Sequence, residues 1–259
     1  MIGMLTIPDG KIWRYMDLAK FAALLASRSL YFACPNQLND PYEGTLPRSH
    51  VEAESKIFQG FVDQMLPLRA QFIERGIPIE SFDASLDNYA ARAATAHQEV
   101  AVKFGLSCWH ESDYESEAMW KLYSASGQAV AIESTIGQLR ASLGKREGLQ
   151  IDRVRYMDFE QDPIEKGHRH YSLFIKRKCF EHEKEVRATV LLPTPGVGVA
   201  VECDLDILVT AVHVSPLVER FVRDAIEALC TGATHRLNKA VHDSSLLSAP
   251  DYGITIKTK

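Results

Sequence analysis

Residues 178–189 read KCFEHEKEVRAT, with Glu181, Glu183, Glu185 and Arg187 at every second position. A strand sends alternate side chains to opposite faces, so this spacing predicts a strand with all four projecting from one face. The opposite face would carry Phe180, His182, Lys184 and Val186, which is only half apolar. Three like charges in a row repel each other. An exposed sheet edge accommodates them, because charge there discourages aggregation. Pairing of Glu183 and Glu185 with basic residues on a neighbouring strand accommodates them as well. The flanking RATVLL reads as buried, which directs the acids toward a cleft.

Two carboxylates two residues apart on a strand are separated by about 7 Å. That distance suits an enzyme in which one carboxylate orients a sugar hydroxyl while the other activates a nucleophile or steadies a cation. Glu185 and Glu183 are therefore the first catalytic candidates.

Outward from this stretch, a chain of 259 residues with 46% apolar and 24% charged residues has material for a sizeable core. A net charge of −5 argues against nucleic-acid binding driven by bulk charge. MIGMLTIPDGKIWRY carries no basic region followed by a long apolar stretch, and no apolar run is long enough to span a bilayer. The expectation is a cytoplasmic protein with no membrane partner. Five scattered cysteines without a C-x-x-C pair fit reduced thiols and offer neither a zinc site nor a disulfide framework.

Apolar periodicity predicts helices over 16–29, 50–75, 80–103, 116–123, 135–144 and 217–230. Residues 162–178 are also helical in composition. Ile57, Phe61, Phe72 and Ile73 form a stripe that predicts packing against a sheet. Strand-like segments fall at 30–34, 104–111, 128–134, 149–157, 197–205 and 207–216, and YGITIKTK at 252–259 reads as an edge strand. Gly127 permits a tight turn. The expected fold is one α+β domain over 1–259, with a mixed or antiparallel sheet, packed helices and a helical insertion at about 49–103.

PNQLNDPYEG, residues 35–44, is turn chemistry throughout. Asn39 and Asp40 can bond their own backbone in an Asx-turn, and Pro41 fixes the next φ. The functional alternative brings Asp40 or Glu43 to the glutamate face. His110 closes a predicted strand, where a group titrating near neutrality suits proton transfer, and Ser107 is similarly placed. Trp109, Trp120 and Tyr123 fit a core. His168 and His170 are two apart, the wrong spacing for a metal pair on a helix. His242, Asp243, Ser244 and Ser245 lie too close in sequence to form a hydrolase triad, and no nucleophile elbow, P-loop or dinucleotide fingerprint occurs.

Four segments in order carry a resemblance: LYFACPNQLNDPYEG, then LSCWHES with MWKLYSASGQAVAIE, then KCFEHEKEVR, and the late pair VHVSP and VHDSSL. Across roughly residues 13–247 they resemble the bacterial family known as domain of unknown function 2971. That family's pattern has Ser where this chain has His110, and Trp where it has Phe180. The glutamate pair is also similar to the acidic strand of ADP-ribosyltransferases, and WRY before a helix followed by LYF resembles the start of DNA-targeting ADP-ribosyltransferase toxins. That resemblance implies NAD as cosubstrate. Glu185 would hold the nicotinamide ribose, Glu183 would serve the acceptor, and Arg14 and Tyr15 would meet NAD; Ser107, Asn39 and Asp40 are the further candidates for binding it.

The concrete expectation is a bacterial effector enzyme of a toxin or phage-defence system, transferring ADP-ribose to a nucleic-acid or protein acceptor. The alternatives are a metal-dependent nuclease using Asp40, Glu183, Glu185 and Lys184, and a non-catalytic sensing or partner-binding domain.

Overall fold

A computed structural model describes residues 7–76, 78–80, 83–84, 99–123, 128–162, 171–232 and 237–248. The fold is α+β, with a mixed sheet of seven strands. The chain divides into two compact units. One comprises Met1–Leu30, Cys108–Lys145 and Val201–Lys259, and the other Tyr31–Ser107 and Arg146–Ala200.

In the first unit, β1 (Lys11–Asp17) runs antiparallel to β4 (Ala129–Thr135) along its whole length. β3 (Phe104–Glu111) is antiparallel to it on its other side, and its last four residues belong to this unit. β10 (Ala211–Val214) is antiparallel to β4, and β11 (Val241–Asp243) is parallel to β10. The sheet order here is β11-β10-β4-β1-β3. Asp17 ends β1 and caps α1 (Leu18–Ser27) by accepting from the Lys20 N–H at 2.7 Å. Thr135 likewise caps α4 (Ile136–Leu143), after the short α3 (Glu117–Tyr123). One sheet face buries Trp13, Tyr15, Ala129 and Ala131 against Met119 and Trp120 of α3. The short α5 (Leu205–Leu208) precedes β10, and α6 (Arg220–Thr231) turns Val222, Ile226 and Cys230 inward.

In the second unit, the first four residues of β3 lead to β8 (Glu185–Leu191) and then β5 (Gln150–Arg153), which pairs antiparallel with β8. β6 (Arg155–Met157) and β7 (Ile175–Arg177) form a separate parallel pair. The helix α2 (Arg48–Glu74) lies in this unit, and the strands β2 (Ser29–Phe32) and β9 (Val199–Glu202) are each divided between the two.

Several expectations need correction. Residues 178–183 form a 3-10 helix, not a strand, and Lys184 leaves it at φ 41°. Only Glu185 and Arg187 lie on β8 and share a face. The turn lets a single cation, Lys176, hold both Glu183 and Glu185 while Glu181 stays exposed. β8 is not a sheet edge either, since it lies between β3 and β5 with six of its seven residues buried.

Residues 175–177, expected to be helical, form β7, and the segment 149–157 breaks into two strands at Val154. β1 and β11 were not expected as strands, and residues 205–208, read as strand-like, are helical. α2 has no buried residue among those described, with Ile57 and Ile73 more than half exposed. Its 27 residues extend for about 40 Å at the usual rise. Gly127, residues 163–170 with His168 and His170, most of 80–98, and the tail from 249 lie outside the described residues. No helix among the described residues is long and apolar enough to cross a membrane.

Candidate active site

The centre of the second unit is a buried chain of charges. Arg187 on β8 has a fully buried side chain. Its Nη1 and Nη2 donate to Glu43 Oε1 and Oε2 at 2.5 and 2.9 Å, a bidentate pair. Its Nε donates to Glu185 Oε2 at 2.6 Å, and Nη1 also reaches the Leu173 carbonyl at 2.8 Å. Glu185 Oε1 accepts from Lys176 Nζ at 3.0 Å, and the same ammonium donates to Glu183. The phenol of Tyr156 accepts from the Glu185 N–H at 2.7 Å, fixing the backbone where the 3-10 turn meets the strand.

A second pair flanks the first. Arg177 Nη2 donates to Asp40 Oδ1 at 2.7 Å, and the guanidinium lies 4.3 Å from the Tyr42 ring. Phe180 covers both cations, at 4.6 Å from Lys176 and 5.4 Å from Arg177. Asp40 Oδ1 also accepts from the Tyr42 N–H at 3.0 Å, so Asp40 makes the Asx-turn. Asn39 stays exposed. The turn box and the glutamate box are thus one structure: Asp40, Tyr42 and Glu43 meet Lys176, Arg177, Phe180, Glu183, Glu185 and Arg187 within a single unit.

Three carboxylates, Glu43, Glu183 and Glu185, face two cations, Lys176 and Arg187, within hydrogen-bonding reach. One negative charge is in excess, and a proton on Glu183 relieves it. Burial, and then the hydrogen bond with Glu185, push the Glu183 carboxyl up to about 7. Burial also opposes ionisation of Glu185, but Arg187 foremost, with Glu183 and Lys176, brings it down to about 2. Lys176 is held above its ordinary range: burial works against its charge, and Glu185 and Glu183 outweigh it. Two neighbouring carboxyls driven apart in this way divide into one that carries a proton near neutrality and one that stays ionised.

The remaining candidates lie elsewhere in the chain. Ser107 is fully buried on β3 in the second unit. Arg14, Tyr15 and His110 belong to the first. Arg14 and Tyr15 are neighbours on β1, so their side chains leave opposite sheet faces. Arg14 lies 5.6 Å from the Trp109 ring. Tyr15 accepts from the Ser116 N–H at 2.9 Å, and burial raises its phenol to about 12. His110 is 5% exposed, opposite Trp13 in the register and 6.2 Å from the Tyr15 ring.

Sequence reasoning passed over Lys176, the cation that joins the two glutamates, because it sits in a stretch read as helical. It also passed over Glu115, Glu133 and His213 of the first unit. Among the described residues, no group of His, Cys, Asp or Glu could hold a metal ion. No protein-family model, curated protein or solved structure matches the chain.

Proposed function

We propose that this chain is an NAD-dependent ADP-ribosyltransferase acting as a cytoplasmic effector on a nucleic-acid or protein acceptor, with Glu183 and Glu185 as its catalytic pair. The observation that carries this reading is the opposed ionisation of two carboxyls bridged by one ammonium.

In such a transfer the bond from ribose C1′ to the nicotinamide nitrogen breaks, and its electron pair leaves with nicotinamide. Positive charge develops on the ribose. Glu185, kept ionised by Arg187 and Lys176, supplies a fixed negative charge for it. A carboxylate has about four lone-pair sites, so Glu185 can still accept from ribose hydroxyls while holding both cations. The acceptor nucleophile then forms its bond to C1′ and gives its proton to Glu183. A carboxyl titrating near 7 is matched to that task, since it is ionised often enough to take the proton and releases it to water afterwards.

The test is nicotinamide release from NAD by the purified chain, with DNA, RNA and protein acceptors present. Glu185→Gln is expected to lower the rate about 10²–10³-fold, the scale of one lost electrostatic group. Glu183→Gln is expected to reduce transfer to the acceptor more than hydrolysis of NAD. No nicotinamide release by the wild type under any of these conditions sinks the proposal and leaves the charge network as a structural or partner-binding feature.

A further inference from the structure

An open cavity of about 580 Å³ lies on the Trp13 face of the first unit. It is opposite the β1 face from which Arg14 projects. Glu133 faces Trp13 across the β1–β4 register, and His213 and His242 stand side by side on β10 and β11. Asp113 and Glu115 join the lining, and among the described residues Lys11 is its one lysine or arginine.

Two features of this cavity ask for a ligand. The first is charge. Lys11 holds Glu133 at 3.0 Å, and Arg223 holds Asp243 at 2.7 Å. The Glu115 side chain is only 5% exposed. Its hydrogen bonds come from neutral donors: Trp120 Nε1 at 3.0 Å, Ser244 Oγ at 2.5 Å, and Ser245 N and Oγ at 2.9 and 3.0 Å. Burial opposes its ionisation, but these bonds prevail and lower its pKa, so it is charged at neutral pH. Among the described residues the basic ring beside it is His213, 3.9 Å away. Burial lowers the pKa of that imidazole below its ordinary value, so it is neutral. A buried carboxylate without a counter-charge is costly.

The second feature is His213 itself. Both its ring nitrogens are buried and lack a hydrogen-bond partner among the described residues. Nε2 lies 3.3 Å from Glu133 Oε2, whose pull on the imidazole is outweighed by burial. A buried polar atom left this way calls for a partner. A neutral imidazole offers one acceptor nitrogen, and it faces a site whose charge is negative.

We propose that this cavity binds an organic cation with N–H donors, an alkylammonium or guanidinium group, whose charge offsets Glu115 beside the Lys11–Glu133 pair and whose N–H bonds to His213. Such a group can be free, as in a polyamine, or carried on a basic side chain of a peptide. An anion meets the carboxylates with repulsion. A quaternary ammonium brings the charge without the donors. The site is independent of the transfer chemistry proposed for the second unit.

The experiment is calorimetric titration of the full chain at low salt with spermidine, with arginine amide, and with tetramethylammonium as the donor-free control. One-site binding of spermidine or arginine amide is expected, with tetramethylammonium at least about tenfold weaker, the scale of one charge-assisted hydrogen bond. Preference for arginine amide identifies a guanidinium source, and preference for spermidine an alkylammonium source. Glu133→Gln and His213→Phe should each weaken binding about tenfold or more with unchanged far-ultraviolet circular dichroism. If His213→Phe alters the dichroism, Glu133→Gln decides. Absence of binding by both ligands, equal binding of tetramethylammonium, or full affinity in the folded variants overturns the proposal.

Discussion

Arg187 grips Glu43 with both terminal nitrogens, at 2.5 and 2.9 Å, across 144 residues of chain. The pair ties the turn after β2 to the middle of a sheet, and both side chains are essentially withdrawn from water. Charges buried this deeply depend on each other, because either one alone is stranded in a medium that solvates it poorly.

Arg187→Met should therefore be severe. It strands Glu43 and removes the nearer cation from Glu185, and the expected loss is about 3–5 kcal/mol of stability. Chemical denaturation reads it directly. Replacing Glu43 as well, in Arg187→Met with Glu43→Leu, should recover part of that loss. A single variant as stable as wild type would show that the pair contributes no more than a surface bridge.

The Glu183–Glu185 pair predicts an unusual pH profile. The ordinary carboxyl value here is 4.5, and Glu185 is lowered to about 2 in the folded protein. Its contribution is present above about 4.5 and is lost as pH falls toward 2. Glu183 is raised to about 7, so the folded state holds a proton that the unfolded state has already released. Stability from this group is present below 4.5 and declines as pH rises through 7. The denaturation midpoint should fall between pH 5 and 8. Glu183→Gln should flatten that decline and exceed wild type at pH 8; parallel profiles for the two proteins would refute the assignment.

Gly148 has φ +71°, and a Cβ there would lie 2.6 Å from the Leu191 backbone nitrogen. Backbone cannot step aside as a side-chain tip can. Gly148→Ala should cost at least about 1–3 kcal/mol from the left-handed conformation and the clash together. Thermal unfolding checks it, and a shift under a degree would mean that the turn relaxes freely.

Phe180 covers Lys176 and Arg177 with one ring. Phe180→Leu keeps an apolar cover and removes the π-face, so a loss of about 0.5–2 kcal/mol is expected. Phe180→Trp should retain the interaction. Equal denaturation midpoints for the Phe180→Leu variant and the wild type would reduce the ring to ordinary packing.

Local chemistry made much of this protein legible in its sequence. The apolar period of LVERFVRDAIEALC specified α6, and the α+β class followed from alternating strand-like and helical segments. The glutamates of EHEKEVR were also recognisable as a crowded row of like charges. Their partners were not. Lys176 reads as one more residue of a basic run, and Glu43 as part of a turn. Period-two spacing gave a strand through Glu181 and Glu183, because spacing registers side-chain direction but not repulsion between neighbouring charges. Only the folded chain brings Glu43 and Lys176 to the start of β8, and there burial and the neighbouring charges divide the protons between Glu183 and Glu185. Secondary structure follows short-range periodicity that a sequence displays. Electrostatic partners separated by 144 residues are set by tertiary packing, which no local pattern encodes.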